Sequence, residues 1–339
     1  MEIIVPCAGL STRFPNLRPK YLLTDYSNKL MIENSIKNYI GKYNVTITIL
    51  KEHDEKFASS KKLKEVFGGS VNIVILPNPT NGPADTIYQT LKLINMDPST
   101  SFLVKDCDSY FDSNVLDGNV IYVSTLTKNP NMTNAAAKSY TITNDQNIIH
   151  SVVEKKIVSE SFCVGGYQFD KASDYIKTFE LISESTNEIF VSNVIDYMID
   201  SGSIFIENQV NNFIDIGTIK DWIEYNNRPT YFCDIDGTIV KSLNNYIDPH
   251  IPLINNVKKL KNELDRGCKI IFCTARPEKY KEVTRKMLDE LGFESCDLLM
   301  AIHHSKRILI NDFADSNPYP SAVAINLNRD SDNLQNYLK

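Results

Sequence analysis

The sequence predicts an α/β protein of two domains in series, and three observations carry that expectation. Short β-branched runs alternate with helical patterns, which is the rhythm of a parallel sheet with crossover helices. The alternation stops in a polar connector at residues 222–229, closed by Pro229, and then starts afresh. Finally, 339 residues exceed one typical domain, and 42% apolar side chains are enough to give each of two units a core. The domains are expected at 1–226 and 230–339.

In the first domain, strands are expected at 3–5, 45–50, 71–76, 102–104 and 120–123. Between two of them Ile87, Leu91 and Ile94 fall on one helix face, which would lie on the sheet. The second domain should begin with a central strand at 231–233. A helix presenting Leu253, Val257, Leu260 and Leu264 follows, stopped at Gly267. A strand at 269–273, a helix at 280–291 and strands at 308–310 and 322–327 would complete a smaller doubly wound sheet. No internal repeat or low-complexity tract interrupts the chain.

Composition excludes several function classes. With 36 Lys and Arg against 42 Asp and Glu, dispersed along the chain, the net charge of −6 offers no phosphate-neutralising stripe for nucleic acid. The seven cysteines are scattered without a CxxC pair, so they read as reduced, mostly buried thiols rather than zinc ligands. The N-terminus lacks a basic n-region and no apolar run approaches 18 residues, so a cytoplasmic protein without a membrane partner is expected. The five histidines show no metal-ligand spacing.

The first strand runs into a loop, residues 6–20, holding Gly9, two hydroxyls, Arg13, Arg18 and Lys20. Backbone N–H groups and cations of this kind suit a triphosphate, although a solvated turn has the same composition. Asn81-Gly82-Pro83-Ala84-Asp85 reads either as a ligand-facing turn or as a helix start with Pro83 in the first turn. After the strand at 102–104, Asp106 and Asp108 sit at i and i+2 of an extended segment and share a face, which suits a divalent cation or a simple cap.

The order of these residues is more specific than their types. Ala8-Gly9, Thr12-Arg13-Phe14 and Pro19-Lys20 together resemble the sugar-phosphate nucleotidyltransferase family, nearest to its cytidylyltransferase branch. Ser11 stands where the commoner motif has glycine. Phe213-Ile214-Asp215-Ile216-Gly217-Thr218 resembles the family's W-x-DIGT segment, and Val153-Glu154-Lys155 with Gly165-Gly166 resembles its acceptor segment, where Lys156 is an equal candidate cation. The resemblance implies a mixed, mostly parallel Rossmann-like domain. It further implies a nucleotide site of Ala8, Gly9, Ser11, Thr12, Asn81, Gly82 and Asp106, catalytic Arg13 and Lys20, an acceptor site of Glu154, Lys155 and Gly166, and Mg²⁺ on Asp108 and Asp215. The partners would be a nucleoside triphosphate, CTP by branch, and a phosphorylated small molecule.

In the second domain, Asp234-Ile235-Asp236-Gly237-Thr238 follows a strand; on composition alone it could be an Asx turn. It resembles motif I of the haloacid dehalogenase superfamily, with Thr274 at the next strand end, Lys306, and Asn311-Asp312 further on. That resemblance implies Asp234 as nucleophile, Asp236 as proton donor, Thr274 and Lys306 as phosphate-binding groups, and Mg²⁺ among Asp234, the Asp236 carbonyl and Asp312. Asn311 departs from the second acid many members carry. The intervals between these motifs are consumed by one helix and one strand each, leaving no room for a large cap.

Together the resemblances imply a bifunctional enzyme: a nucleotidyltransferase making an activated sugar, polyol or amino-alcohol for surface or capsular polysaccharide, with an appended phosphatase. A transferase using UTP or dTTP with a silent second domain, and a nucleotide sensor, are the alternatives. Nucleobase, acceptor and oligomeric state, including a homo-oligomer, stay open.

Overall fold

The structure is a computed structural model, and it describes residues 1–130, 132, 134–183, 188–242, 246–247, 249–311 and 322–338. The chain divides into two compact units, Met1–Glu224 and Tyr225–Lys339.

The first unit runs β1 (Glu2–Cys7), α1 (Met31–Ile36), β2 (Asn44–Leu50), α2 (Lys51–Phe57), α3 (Ser59–Phe67), β3 (Asn72–Leu76), α4 (Pro83–Leu93) and β4 (Phe102–Lys105). It continues through β5 (Ser109–Asp112), β6 (Asn119–Thr125), β7 (Tyr140–Thr143), β8 (Ile149–Val153), β9 (Ser161–Phe169), α5 (Ala172–Ile182) and α6 (Val191–Asp200). It ends with β10 (Phe205–Gln209), β11 (Asn211–Asp215) and α7 (Ile219–Asn226), within which the division falls. The main sheet has the order β10-β6-β9-β4-β1-β2-β3, with the β7–β8 hairpin attached to β9. All its pairings along that path are parallel except those of β9, which runs against both neighbours. Helices on both faces require a sheet that is apolar on both, and the strands comply. Ile4, Phe102, Val104, Ile121 and Val123 face one core with the α4, α5 and α6 side chains, while Ile3, Val5, Leu103, Val120 and Tyr122 face the other. β5 and β11 form a separate antiparallel ribbon.

The second unit contains β12 (Thr230–Cys233), α8 (Ile254–Asp265), β13 (Lys269–Cys273), α9 (Lys281–Glu290) and β14 (Asp297–Leu299). Val257, Leu260, Met287 and Leu288 of the helices pack with Ile270 and Phe272 of β13 into one core. Gly267, at φ +85°, sits in the left-handed region and ends α8, its N–H donating to the Leu264 carbonyl at 2.8 Å.

Two expectations for this unit are corrected. Among the described residues β13 is the middle strand of a three-stranded parallel sheet, and β12 is an edge. Residues 308–310 and 322–327 form no strand: Ile308, Ile310 and Val323 are largely exposed, and the third strand comes instead from Asp297–Leu299. All seven cysteines are free and buried. No helix among the described residues is long and apolar enough to cross a membrane.

Candidate active site

β1 is paired on both sides, by β2 and β4, so the loop after Cys7 leaves from within the sheet at a parallel strand's C-terminal end. Ala8 is buried, whereas Gly9, Thr12 and Arg13 are exposed, and nothing lies within 4 Å of where a Cβ on Gly9 would point. Ser11 has φ +53°, the left-handed conformation that explains why glycine is at home in this position. Its carbonyl accepts the Phe14 N–H at 2.9 Å and its hydroxyl accepts the Lys20 N–H at 3.2 Å, so the serine folds the loop back on itself.

Lys20 thereby reaches Asp108, Nζ to Oδ2 at 2.6 Å. Asp108 follows β4, and the β5–β11 ribbon delivers Asp215 beside it: Asp215 stands opposite Ser109, and the Ile216 N–H donates to the Asp108 carbonyl at 3.0 Å. The two carboxylates meet at Gly217. The point a Cβ on Gly217 would occupy lies 3.1 Å from Asp108 Oδ2, 3.1 Å from Asp215 Oδ1 and 3.6 Å from Arg13 Nη1. The far oxygen of Asp215, Oδ2, forms an ion pair with Lys138 Nζ at 2.5 Å and accepts from Asn134 Nδ2 at 2.9 Å.

Burial pushes the Asp108 carboxyl up, but the charge and hydrogen bond of Lys20, with Arg13 and Lys138, hold it well below the carboxylate range. Burial likewise pulls the Lys20 ammonium down, and Asp108 more than restores it. Asp106 differs. Burial, with Asp108 adding its negative charge, pushes it up to about 6. Its side chain packs on Gly165, where an added Cβ would lie 2.5 Å from Oδ2. Lys105 is fully buried, donating to the Ser109 carbonyl and hydroxyl at 2.6 and 2.9 Å, and burial pulls its ammonium down to about 8.

Asn81 and Gly82 form the turn before α4, with Pro83 in the first helical turn. Gly82, at φ +110°, has no room for a side chain: a Cβ would lie 2.7 Å from the Ile189 carbonyl. Glu154 accepts from the hydroxyls of Ser139 and, at 2.5 Å, Ser192. Lys155 places its ammonium 4.0 Å from the centre of the Phe190 ring. Gly166 packs under Phe111 and Tyr122. Sequence reasoning gave no role to Lys138 or Asn134, which approach the carboxylate pair from the turn before β7; no motif marks them.

In the second unit, Asp234 accepts from Arg307 Nη2 at 2.9 Å, so the cation reaching it is the neighbour of Lys306. Both oxygens of Asp236 accept from Arg276, Nε at 2.9 Å and Nη2 at 2.7 Å. Arg276 is 1% exposed and also reaches Thr284 and His250. Thr274 is buried, its hydroxyl accepting the Arg276 N–H at 3.1 Å. Asp312 lies outside the described residues.

Among the described residues no group of three or more His, Cys, Asp or Glu could hold a metal. Two carboxylates suffice for Mg²⁺, which keeps waters and takes substrate phosphates as its other ligands. The oxygens flanking the Gly217 point are of that hard type, and each already has a donor, Lys20 Nζ on Asp108 Oδ2 and the Gly217 N–H on Asp215 Oδ1.

No protein-family model matches the chain. No curated protein matches it either. Solved structures do. A nucleoside-diphosphate-sugar pyrophosphorylase from Vibrio cholerae RC9 is 18% identical with TM-score 0.57 over 66% of this chain and 98% of its own. The first unit has a nucleotidyltransferase fold. A putative glucose-1-phosphate thymidylyltransferase from Bacillus anthracis gives 17%, 0.52, 66% and 93%, and the inositol-1-phosphate CTP transferase from T. maritima 18%, 0.50, 65% and 90%. The matched share of this chain is that of a unit the size of Met1–Glu224.

Proposed function

We propose that the first unit transfers a nucleotidyl group from a nucleoside triphosphate to a phosphomonoester, releasing pyrophosphate. The observation that carries this reading is the Gly217 point, equidistant from Asp108 and Asp215 and beside Arg13. Mg²⁺ held by Asp108 and Asp215 would neutralise phosphate oxygens there. The acceptor's phosphate oxygen attacks the α-phosphorus, the new P–O bond forms, and the bond to the β-phosphate breaks with its electron pair leaving on pyrophosphate. Arg13 takes the departing phosphates. Lys20, already charged and fixed by the loop, stabilises the reacting centre; one such contact is commonly worth about 2.7–4 kcal/mol in the transition state.

CTP is the donor we propose, and a phosphorylated sugar, polyol or amino-alcohol the acceptor, for surface polysaccharide synthesis. The structural neighbours described as acting on inositol 1-phosphate and glucose 1-phosphate support a phosphomonoester of this class. The test is pyrophosphate release with Mg²⁺, screening CTP, UTP, dTTP, ATP and GTP against glucose 1-phosphate, inositol 1-phosphate and phosphocholine. Asp108→Ala should abolish the signal; release unaffected by it would sink the reading.

For the second unit we propose phosphomonoester hydrolysis through an aspartyl-phosphate at Asp234, where Asp234, Asp312 and the backbone carbonyl of Asp236 would hold Mg²⁺. What supports it is an exposed cation, Arg307, on the nucleophile's oxygen. Asp236, with both oxygens accepting from Arg276, must loosen that clamp to donate a proton. Phosphate release abolished by Asp234→Ala is the expected result. Its absence in the wild-type protein favours a silent scaffold.

A further inference from the structure

Two lysine–aspartate pairs flank the Gly217 point, and their lysines come from different segments of the chain. Lys20 belongs to the loop after β1 and shares its surroundings with Arg13, on the triphosphate side of the proposed site. Lys138 arrives from the short turn Ala135–Ala137. Its own carbonyl accepts the Lys155 N–H at 3.1 Å, and the next residue, Ser139, donates its hydroxyl to Glu154. Lys138 is therefore bonded to the Glu154-Lys155 segment that the family resemblance assigns to the acceptor, while its ammonium touches Asp215 of the carboxylate pair.

We propose that Lys138 binds the phosphate of the acceptor and carries it to the reacting centre. Asp215 divides its work: Oδ1 faces the Gly217 point and accepts the Gly217 N–H at 3.0 Å, while Oδ2 holds Lys138. An ammonium has three donors. Among the described residues the ion-pair partner of Lys138 is Asp215, a single oxygen at 2.5 Å, which does not use all three. The side chain is 19% exposed, open to a ligand yet dry enough for its charge to count, and its charge already bears on Asp108 and Asp106. Lys155 holds its ammonium 4.0 Å from the centre of the Phe190 ring, whereas Lys138 lies 5.9 Å from that of Phe213. A phosphomonoester dianion arriving at this centre meets two carboxylates: Lys20 balances Asp108, and Lys138 balances Asp215.

This assignment rests on the proposed transfer reaction, and the test separates the two. Wild-type protein, Lys138→Ala, Lys138→Arg and Lys155→Ala are compared for pyrophosphate release with the panel phosphomonoester that supports turnover. Titration calorimetry measures binding of that phosphomonoester, its dephosphorylated alcohol and CTP. Lys138→Ala is expected to lower kcat/KM for the phosphomonoester about a hundredfold, more than Lys155→Ala does. It should also abolish the preference for the phosphomonoester over its alcohol, leave CTP affinity unchanged, and be partly rescued by Lys138→Arg. A Lys138→Ala protein that melts like wild type and keeps both turnover and that preference overturns the assignment while leaving the transfer reaction standing. If Lys138→Ala merely unfolds, Lys138→Met and Lys138→Gln decide by the same preference. A wild-type protein that releases no pyrophosphate with any pairing overturns the reaction and the assignment together.

Discussion

Lys20 and Asp108, 88 residues apart in sequence, meet at 2.6 Å with 22% and 13% of their side chains exposed. Each stabilises the other's charge where burial opposes it. Lys20→Met should therefore be lowered in two measurements. Pyrophosphate release should fall about 10²–10³-fold. Because Arg13 and Lys138 still face Asp108, stability should fall by only about 1–2 kcal/mol, less than loss of a partner in a fully buried pair. Urea unfolding beside the activity assay checks both, and a loss of activity matched by outright unfolding would contradict the ordering.

Gly217 separates site from scaffold. Its Cβ position is 3.1 Å from both carboxylate oxygens, tight enough that one must move, and its backbone is not in the left-handed region. Gly217→Ala should thus leave the melting temperature within a few degrees of wild type, about 1 kcal/mol, while weakening Mg²⁺-dependent turnover at least tenfold. Gly165→Ala is the contrast. It combines φ +79° with a 2.5 Å approach to Asp106 Oδ2 and should cost about 1–3 kcal/mol in the same melt.

Much of this arrangement is legible in the sequence, and the rest is hidden for physical reasons. The β-branched runs place β1 to β4 and β6 because a sheet covered on both faces needs continuous apolar strands. Asp108 and Asp215 are legible through their flanking motifs. Lys138 is not, since a lone lysine between a run of alanines and a serine carries no periodicity, and only the turn of the chain brings it to Asp215. The role of Arg276 is not legible because burial of a guanidinium has no sequence mark, and Arg307 is masked by the adjacent Lys306. The apolar runs at 308–310 and 322–327 have strand composition but no paired neighbour among the described residues, and composition alone does not supply the hydrogen bonds of a ladder.

Glu263, 1% exposed on α8, gives the second unit an acid-sensitive joint. Burial pushes its carboxyl up, but Lys259 at 2.8 Å and Arg266 at 2.9 Å outweigh burial and hold it below the usual range, with Tyr231 and Cys268 facing the same carboxylate. A depressed folded-state pKa means that the unfolded chain binds the proton first. The stabilisation is complete above the ordinary glutamate pKa of about 4.3 and is lost as pH falls through the folded value. The second unit should then melt at a constant urea concentration from neutral pH down to about pH 5 and lose stability below about 4. Glu263→Gln should be less stable at pH 7 and show a flatter acid limb; parallel limbs for the two proteins would refute the linkage.

Arg276 and Asp236 make a clamp whose disruption separates folding from chemistry in the second unit. A planar guanidinium meets both carboxylate oxygens, at 2.9 and 2.7 Å, with Arg276 at 1% exposure and Asp236 at 23%. Lysine cannot reproduce that fork. Arg276→Lys should cost about 1–3 kcal/mol and Arg276→Met about 3–5 kcal/mol, because each leaves Asp236 with fewer donors in a site that remains closed. Asp236→Asn leaves the guanidinium buried with a neutral partner and should also destabilise. In the double variant Arg276→Met with Asp236→Asn neither charge is stranded, so its loss should fall short of the summed single losses by about 1–3 kcal/mol. Urea unfolding of the four proteins, followed by the near-ultraviolet signal of the second unit's tyrosines and by tryptic nicking of that unit, measures the coupling. Strict additivity would show that the clamp is a contact without energetic consequence, and that Asp236 is held by the backbone bonds of its own loop, where the Gly237 N–H donates to the Val240 carbonyl at 2.7 Å.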